Sequence, residues 1–441
     1  MNMRSVTLFS LLALLMTGCG TPKPAETPAH PEWSYRSVVY ELNVRQATPD
    51  GTFAAAADRL PALKELGVDI VWCMPIYPIG TQGRKGTLGS YYAISDYCDV
   101  NPEFGTLADF DAFLNRAHEL DMKVILDWVA NHTSPDSKWA QEHRDWHLRD
   151  SLGNTVVEYD WTDIAKLDYG NRDMRRAMTD AMHFWVDRGV DGFRCDMAML
   201  VPIDFWQTAF AELKEKRPDL YLLAEGESAE LHDRAFDATY TWELHHLLND
   251  VAQGKKGVAE LKAYLAADAE KMPREAMRLM FTSNHDENSW AGTEFERMGD
   301  AVRAMAVLCF TLPQGQPLIY TGQEVGYDHR FEFFEKDSMP VTEANEFTEF
   351  YRSLCALRHD NEALAAGERG GAFRYLEGMP DGVLGFVRET DGNRVNCLVN
   401  LTPEPVEVKG SCSGGDCLAE HLTVGDGTLQ LGGWGYCIWT E

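Results

Sequence analysis

From residue 37 onward, short apolar runs alternate with longer stretches whose apolar positions recur every three or four residues. SVVYEL (37–42), VDIVWCMP (68–75), KVILDWV (123–129), GFRCDM (192–197), LYLLAE (220–225), ATYTW (238–242), LMFTSNHD (279–286) and PLIYTG (317–322) read as strands covered on both faces. Between them, AAAADRLPALKELG, LADFDAFLNRAHELD, MRRAMTDAMHFWVDRG, DFWQTAFAELKEKRP and DAVRAMAVLCFTL carry the helical period. Eight strands alternating with helices predict the α/β class, as a closed parallel (β/α)8 TIM barrel over 36–365. A doubly wound sheet is the rival. It is weakened by the lack of a Gly-rich phosphate loop after the first strand.

Two segments break the alternation. After the third strand, residues 132–170 have no clean period but many aromatic and polar groups, which predicts an inserted loop subdomain over the active face. After a last helical stretch, ANEFTEFYRSLCALRHD (344–360), the period falls to two: FRYLE (373–377), GVLGFVRE (382–389), RVNCLVNL (394–401), PVEVKG (405–410) and LQLGGWGYCIWT (429–440). These predict a C-terminal antiparallel β domain over 366–441, built as a sandwich.

The start of the chain stands outside this scheme. Arg4 precedes VTLFSLLALLM, an apolar run too short and wrongly flanked for a spanning helix. It leads into Met16-Thr17-Gly18-Cys19, which resembles a bacterial lipoprotein signal. That resemblance implies removal of residues 1–18 and lipidation of Cys19, and so membrane attachment through the lipid; an ordinary cleaved secretion signal is the alternative. Residues 19–35, rich in Pro, Thr and Ala, read as a tether. Gly20 after the lipid cysteine, in place of an Asp, points to the outer membrane of a bacterial envelope, with the face left open.

A formal charge of -29 argues against nucleic acid as a partner and suits a neutral substrate. Of ten cysteines, Cys73, Cys195, Cys309 and Cys355 sit in apolar runs as small buried thiols. Cys412 and Cys417 flank SGGD and are close enough in sequence for a local disulfide, which spacing alone leaves open. No Cys/His spacing has the form of a zinc site.

Candidate chemistry gathers at strand ends: Asp127-Trp128-Val129-Ala130-Asn131-His132, Gly192-Phe193-Arg194-Cys195-Asp196, Ala224-Glu225-Gly226 and Asn284-His285-Asp286. In a parallel barrel all carboxyl ends of strands open onto one face, so acids far apart in sequence can meet. With these four segments in order, the chain resembles the α-amylase family of glycoside hydrolases, family 13, from about residue 36 to the C terminus. The resemblance implies Asp196 as nucleophile, Glu225 as acid/base and Asp286 as transition-state stabiliser of a retaining reaction, which places nucleophile and acid about 5–5.5 Å apart. Arg194, two residues before Asp196, shares its strand face and keeps it ionised. The resemblance further implies sugar binding by His132 and His285, support from Asp127, an aromatic platform at Tyr92 (or Tyr91, one residue off in register), and a lesser role for Asn284.

Departures from the family pattern shape the rest. Met197-Ala198-Met199-Leu200 stands where many members carry a Lys-His pair, and Lys166 stands where calcium-binding members have an Asp. Asn131 alone cannot make a site for an ion that takes six to eight oxygens. No metal, and no cofactor, is therefore expected. Trp139, Trp146, Tyr159 and Trp161 either line sugar subsites or form the insert's own core. Ala93, where some exo-acting relatives have Asp, leans towards internal cleavage. The implied activity is hydrolysis of α-1,4-glucosidic bonds in starch, maltodextrins or maltooligosaccharides. A transglycosylase or a sucrose- or trehalose-acting relative is the alternative, and a non-catalytic glycan-binding protein a remote one.

Overall fold

The computed structural model describes residues 30–410, 412 and 417–441. The expected signal peptide, Cys19 and most of the expected tether lie outside the described residues. Residues 30–35, also expected as tether, are instead packed into the fold. His30 is buried, and its ring nitrogens lie 2.9 Å from Asp237 Oδ1 and 2.7 Å from the Glu275 carbonyl. Composition hid this: the Pro-rich run ends in His, Trp and Tyr, each with a site to fill.

In chain order the first ten strands are β1 (Val39–Leu42), β2 (Ile70–Cys73), β3 (Lys123–Trp128), β4 (His132–Thr133), β5 (Ala165–Lys166), β6 (Gly192–Cys195), β7 (Tyr221–Ala224), β8 (Ala238–Tyr240), β9 (Met277–Met280) and β10 (Gly315–Tyr320). All but β4 and β5 form a closed parallel barrel in the order β1-β2-β3-β6-β7-β8-β9-β10, with β10 returning to β1. Successive residues of a strand face opposite sides, and here both sides are apolar. Val39, Ile70, Trp72, Ile125, Leu223 and Leu279 fill the interior, while Val38, Tyr40, Val71, Val124 and Leu222 pack under the helices. This explains why the strands read as unbroken apolar runs.

The five expected barrel helices are present, from Phe53–Leu66, capped by the Thr52 hydroxyl and ended by Gly67 at φ 103°, to Val302–Thr311. Two further helices, Trp242–Ala252 and Val258–Lys271, follow β8. The antiparallel pair β4–β5 staples the two ends of the insert together, with His132 opposite Lys166.

The C-terminal strands are β11 (Ala372–Tyr375), β12 (Val383–Thr390), β13 (Asn393–Asn400), β14 (Val406–Lys409), β15 (Cys417–Val424) and β16 (Thr428–Thr440). They make one continuous hydrogen-bonded antiparallel path, β11-β12-β13-β16-β14, with β15 also paired to β16, bent into two wings that share one apolar cluster. The reason is the length of β16. Its end (436–440) pairs with β13 and its beginning (428–431) with β14, so one strand serves two wings. Gly432, Gly433 and Gly435, with Trp434 at φ 58°, occupy the stretch between the wings. β15, with residues alternating only between half-buried and exposed, lacks the apolar face that would announce it.

Candidate active site

Arg194 is fully buried at the end of β6, where its guanidinium collects three carboxylates. Nη1 donates to both Asp127 oxygens, at 2.9 and 3.1 Å, and to Asp196 Oδ1 at 3.1 Å. Nη2 lies 3.0 Å from Glu225 Oε2, and Nε donates to the Tyr240 hydroxyl at 3.2 Å. Asp127 closes β3, Glu225 follows β7, and β6 lies between them, so neighbouring strand tips bring the acids together. Three adjacent strand ends thus supply one charge cluster. Burial, then the Glu225 charge, pushes the Asp196 carboxyl well up, with Arg194 opposing. Burial likewise raises Asp127 against the pull of Arg194.

A second cluster joins it from β9 and β1. His285 Nδ1 is 2.5 Å from Glu41 Oε1, and Nε2 is 2.7 Å from the Tyr92 hydroxyl and 3.4 Å from Asp286 Oδ2. The Tyr92 hydroxyl also donates to Asp127 Oδ2 at 3.1 Å, linking the clusters. Burial disfavours a charged His285, but Asp286 and Glu41 outweigh it and lift its pKa to about 9, so the ring is cationic at neutral pH. His132 differs. Burial drops it to about 4, it lies 5.8 Å from Trp161, and its Nε2 has no partner among the described residues. It is therefore a neutral ring with an unused nitrogen at the cleft wall. Asp286 is the most open of the three acids, with its side chain 38% exposed; burial and then His285 pull its pKa in opposite directions, for a net rise.

These groups floor a cleft of about 430 Å3 lined by Tyr92, His132, Asp196, Glu225, His285 and Asp286, with Trp161, Trp290, Phe333 and Phe334 as walls. The register of the doubled tyrosine is thereby fixed. Tyr92 stacks on His285 at 5.5 Å, whereas Tyr91 is buried under Arg45 and bonded to Asn43. Asn284 sits behind the cleft, its Oδ1 accepting from the Glu287 amide at 2.8 Å and so holding the turn that carries Asp286. A larger cavity of about 760 Å3 lies at the opposite end of the barrel, around Trp33, Asp69 and His359, away from these acids. The insert's aromatics divide. Trp139 packs on both Trp146 and Tyr97, while Trp161 lines the cleft and Tyr159 is exposed beside it.

Several members of the site are not signalled by motif. Glu41, fully buried in β1, holds His285; a charge inside the apolar run VYEL was the available sign. Met197 adopts φ 44°, a strained conformation for a side-chain-bearing residue, and its amide donates to Glu225 Oε2 at 2.8 Å. Trp290 sits in a short π-helical turn, Glu287–Ala291, and Phe333 and Phe334 lie in a loop without period. Where a calcium ion would need oxygen ligands, the Lys166 ammonium is paired with Glu158, and the Asn131 amide nitrogen faces His132 Nδ1 at 3.2 Å. This donor set does not fit calcium.

The alpha-amylase catalytic domain, as a family, matches residues 39–161 and 142–365. Alpha-amylase MalA of Haloarcula japonica is 31% identical over 411 residues, a match that takes in 89% of this chain but only 58% of that protein. The crystal structure of an alpha-amylase from Lactobacillus plantarum superposes with a TM-score of 0.82 at 32% identity, covering 93% of this chain and 99% of that one. That of the maltogenic alpha-amylase AmyB from Thermotoga neapolitana gives 0.79 at 30% identity, covering 92% and 98%. The chain belongs to the α-amylase family of glycoside hydrolases and is an enzyme of that class.

Proposed function

We propose that this enzyme is a retaining hydrolase of α-1,4-glucans, acting on starch, maltodextrins or maltooligosaccharides. The observation that carries the reading is the single Arg194 guanidinium shared by Asp127, Asp196 and Glu225 at a cleft with aromatic walls. Asp196 attacks the anomeric carbon while Glu225 gives its proton to the departing glycosidic oxygen. With the proton on Glu225, the charge that most opposes ionised Asp196 after burial is gone, and Arg194 steadies the nucleophile. Glu225 then takes a proton from water, whose oxygen displaces Asp196 and restores the original configuration. Asp286 and cationic His285 hold sugar hydroxyls as the ring flattens, His132 adds its free nitrogen, and Tyr92 supplies an apolar face for the sugar.

Transglycosylation by the same carboxylates is the second reading, favoured by the apolar wall of Trp290, Phe333 and Phe334, which offers an acceptor sugar a dry seat. The test is a time course on amylose, pullulan and maltoheptaose, with and without added maltose, followed by NMR of the first product. An α-anomer and shortened chains are expected. A β-anomer would remove the retaining mechanism, and products longer than the substrate would select transfer.

The pairing of Lys166 with Glu158 supports a calcium-independent fold. Exhaustive chelation should leave activity and melting temperature unchanged, and marked destabilisation would refute this. Attachment through a lipid on Cys19 at the bacterial outer membrane is supported by the Met16–Cys19 sequence; Cys19→Ser should release the enzyme from membranes.

A further inference from the structure

Six of the nine cysteines among the described residues stand apart as single thiols; Cys412, Cys417 and Cys437 meet in the C-terminal sheet. Cys437 lies fully buried in β16, in a small apolar cluster with Val383, Leu398 and Leu429. Cys412 packs half-buried against that cluster, and Cys417 is exposed at the start of β15. Cys412 Sγ is 2.7 Å from Cys437 Sγ, well inside van der Waals contact, and Cys417 Sγ is 3.7 Å from the same atom. The pairing expected from sequence, Cys412 with Cys417, is not the one the fold brings closest.

Register separates the two candidates for Cys437. Ala419 stands directly opposite Cys437, so Cys417 is its diagonal neighbour. Diagonal residues lie about 7–8 Å apart, beyond the about 4.4–6.8 Å that a relaxed disulfide spans. Cys412 belongs to no ladder, so register imposes no such separation on it. A metal fits less well: thiolates on one tetrahedral zinc, at about 2.3 Å each, hold their sulfurs about 3.8 Å apart. The Cys412–Cys437 contact is far shorter than that. No fourth His, Cys, Asp or Glu among the described residues completes a set.

We propose that these three residues form a thiol–disulfide exchange site, with a resting Cys412–Cys437 bond and Cys417 as the surface thiol through which small disulfides of the glutathione type make the bond and the corresponding small thiols break it. Burial holds the Cys412 and Cys437 thiols above their ordinary range, which leaves first attack to the exposed sulfur. The Cys417 thiolate attacks one sulfur of the external disulfide and releases one external thiolate. Cys412 then attacks Cys417 Sγ and expels the second external thiolate. Finally Cys437 attacks Cys412 Sγ and expels Cys417. Two protein thiols are oxidised, one external disulfide is reduced to two thiols, and Cys417 is regenerated. The bond ties residue 412 to the central strand of the sheet.

The test uses the full-length protein, reduced, reoxidised with oxidised glutathione, digested without reductant and mapped for linked peptides. A single Cys412–Cys437 link is expected. Cys417→Ser should reach the same link roughly tenfold more slowly, with starch-hydrolysing activity unchanged. A Cys412–Cys417 link, no link, or an unchanged rate in Cys417→Ser would overturn the proposal. So would stoichiometric zinc that shields all three thiols of the reduced protein from alkylation.

Discussion

Asp69, Asp191 and Asp237 stand just before β2, β6 and β8, whereas Asp196 and Glu225 stand just beyond β6 and β7, and Asp286 ends the turn that follows β9. The first three use one oxygen in the same way. Each accepts from the backbone amide of a neighbouring barrel segment: Val38 at 2.9 Å, Val124 at 2.9 Å and Leu222 at 2.8 Å. Each also holds a cationic or imidazole group, with His359, Arg217 and His30 at 2.8, 2.6 and 2.9 Å. At the other end, two acids share one guanidinium and face a cleft. A parallel barrel explains the contrast: amides at strand beginnings lack ladder partners and donate to carboxylates that cap them. At strand ends the unpaired groups are carbonyls, which repel carboxylates, so the acids there rely on Arg194 and, for Glu225, on the Met197 amide of the following turn. The same residue types close the base and arm the mouth.

The sharpest way to break this comparison is to remove one acid from each end. Asp196→Asn and Glu225→Gln should each lower kcat on the order of 10^4-fold, with melting temperatures near that of the parent. A variant retaining near-parental turnover would take its residue out of the reaction. Asp191→Asn should do the opposite. It leaves His118 and Arg217 facing a neutral amide, which costs about 2–3 kcal/mol of stability in a denaturant titration. Its kcat at low temperature should be unchanged, and a large loss of kcat would join base and mouth functionally.

pH separates the ends next. His285, raised from 6.5 to about 9, contributes stability that is fully present below pH 6.5 and lost as pH climbs through 9. Burial works against ionised Asp191, but the bonds to His118 and Val124 prevail and depress its pKa below 3.8. Its contribution is therefore present at neutral pH and lost only as pH falls through that depressed value. His285→Gln should thus remove an alkaline decline in melting temperature that Asp191→Asn leaves in place; identical profiles would discard this account. The smallest effect is expected for Tyr92→Phe. It keeps the ring but frees Asp127 and His285 of one bond each, lowering kcat/KM about tenfold, roughly 1.4 kcal/mol.

Sequence carried the mouth better than the base. All eight barrel strands were readable because a parallel sheet covers both faces, and the acids that follow them interrupt apolar runs. Asp69, Asp191 and Asp237 precede such runs and look like ordinary loop residues. The helix Trp242–Ala252 carries a readable period in Leu244, Leu247, Leu248 and Val251, passed over beside the short strand before it. Phe333 and Phe334 could not be found this way, since loops take their place from tertiary packing. β15 was hidden for a related reason: a strand that is exposed along much of one face has no apolar rhythm.

His30 fits into the underside of the barrel, against Asp237 and the Glu275 carbonyl, on the side opposite Arg194. Any pull on the leading end of the chain is therefore delivered to the rigid base and not to the cleft. Load entering at residue 30 thus spares the geometry of the mouth.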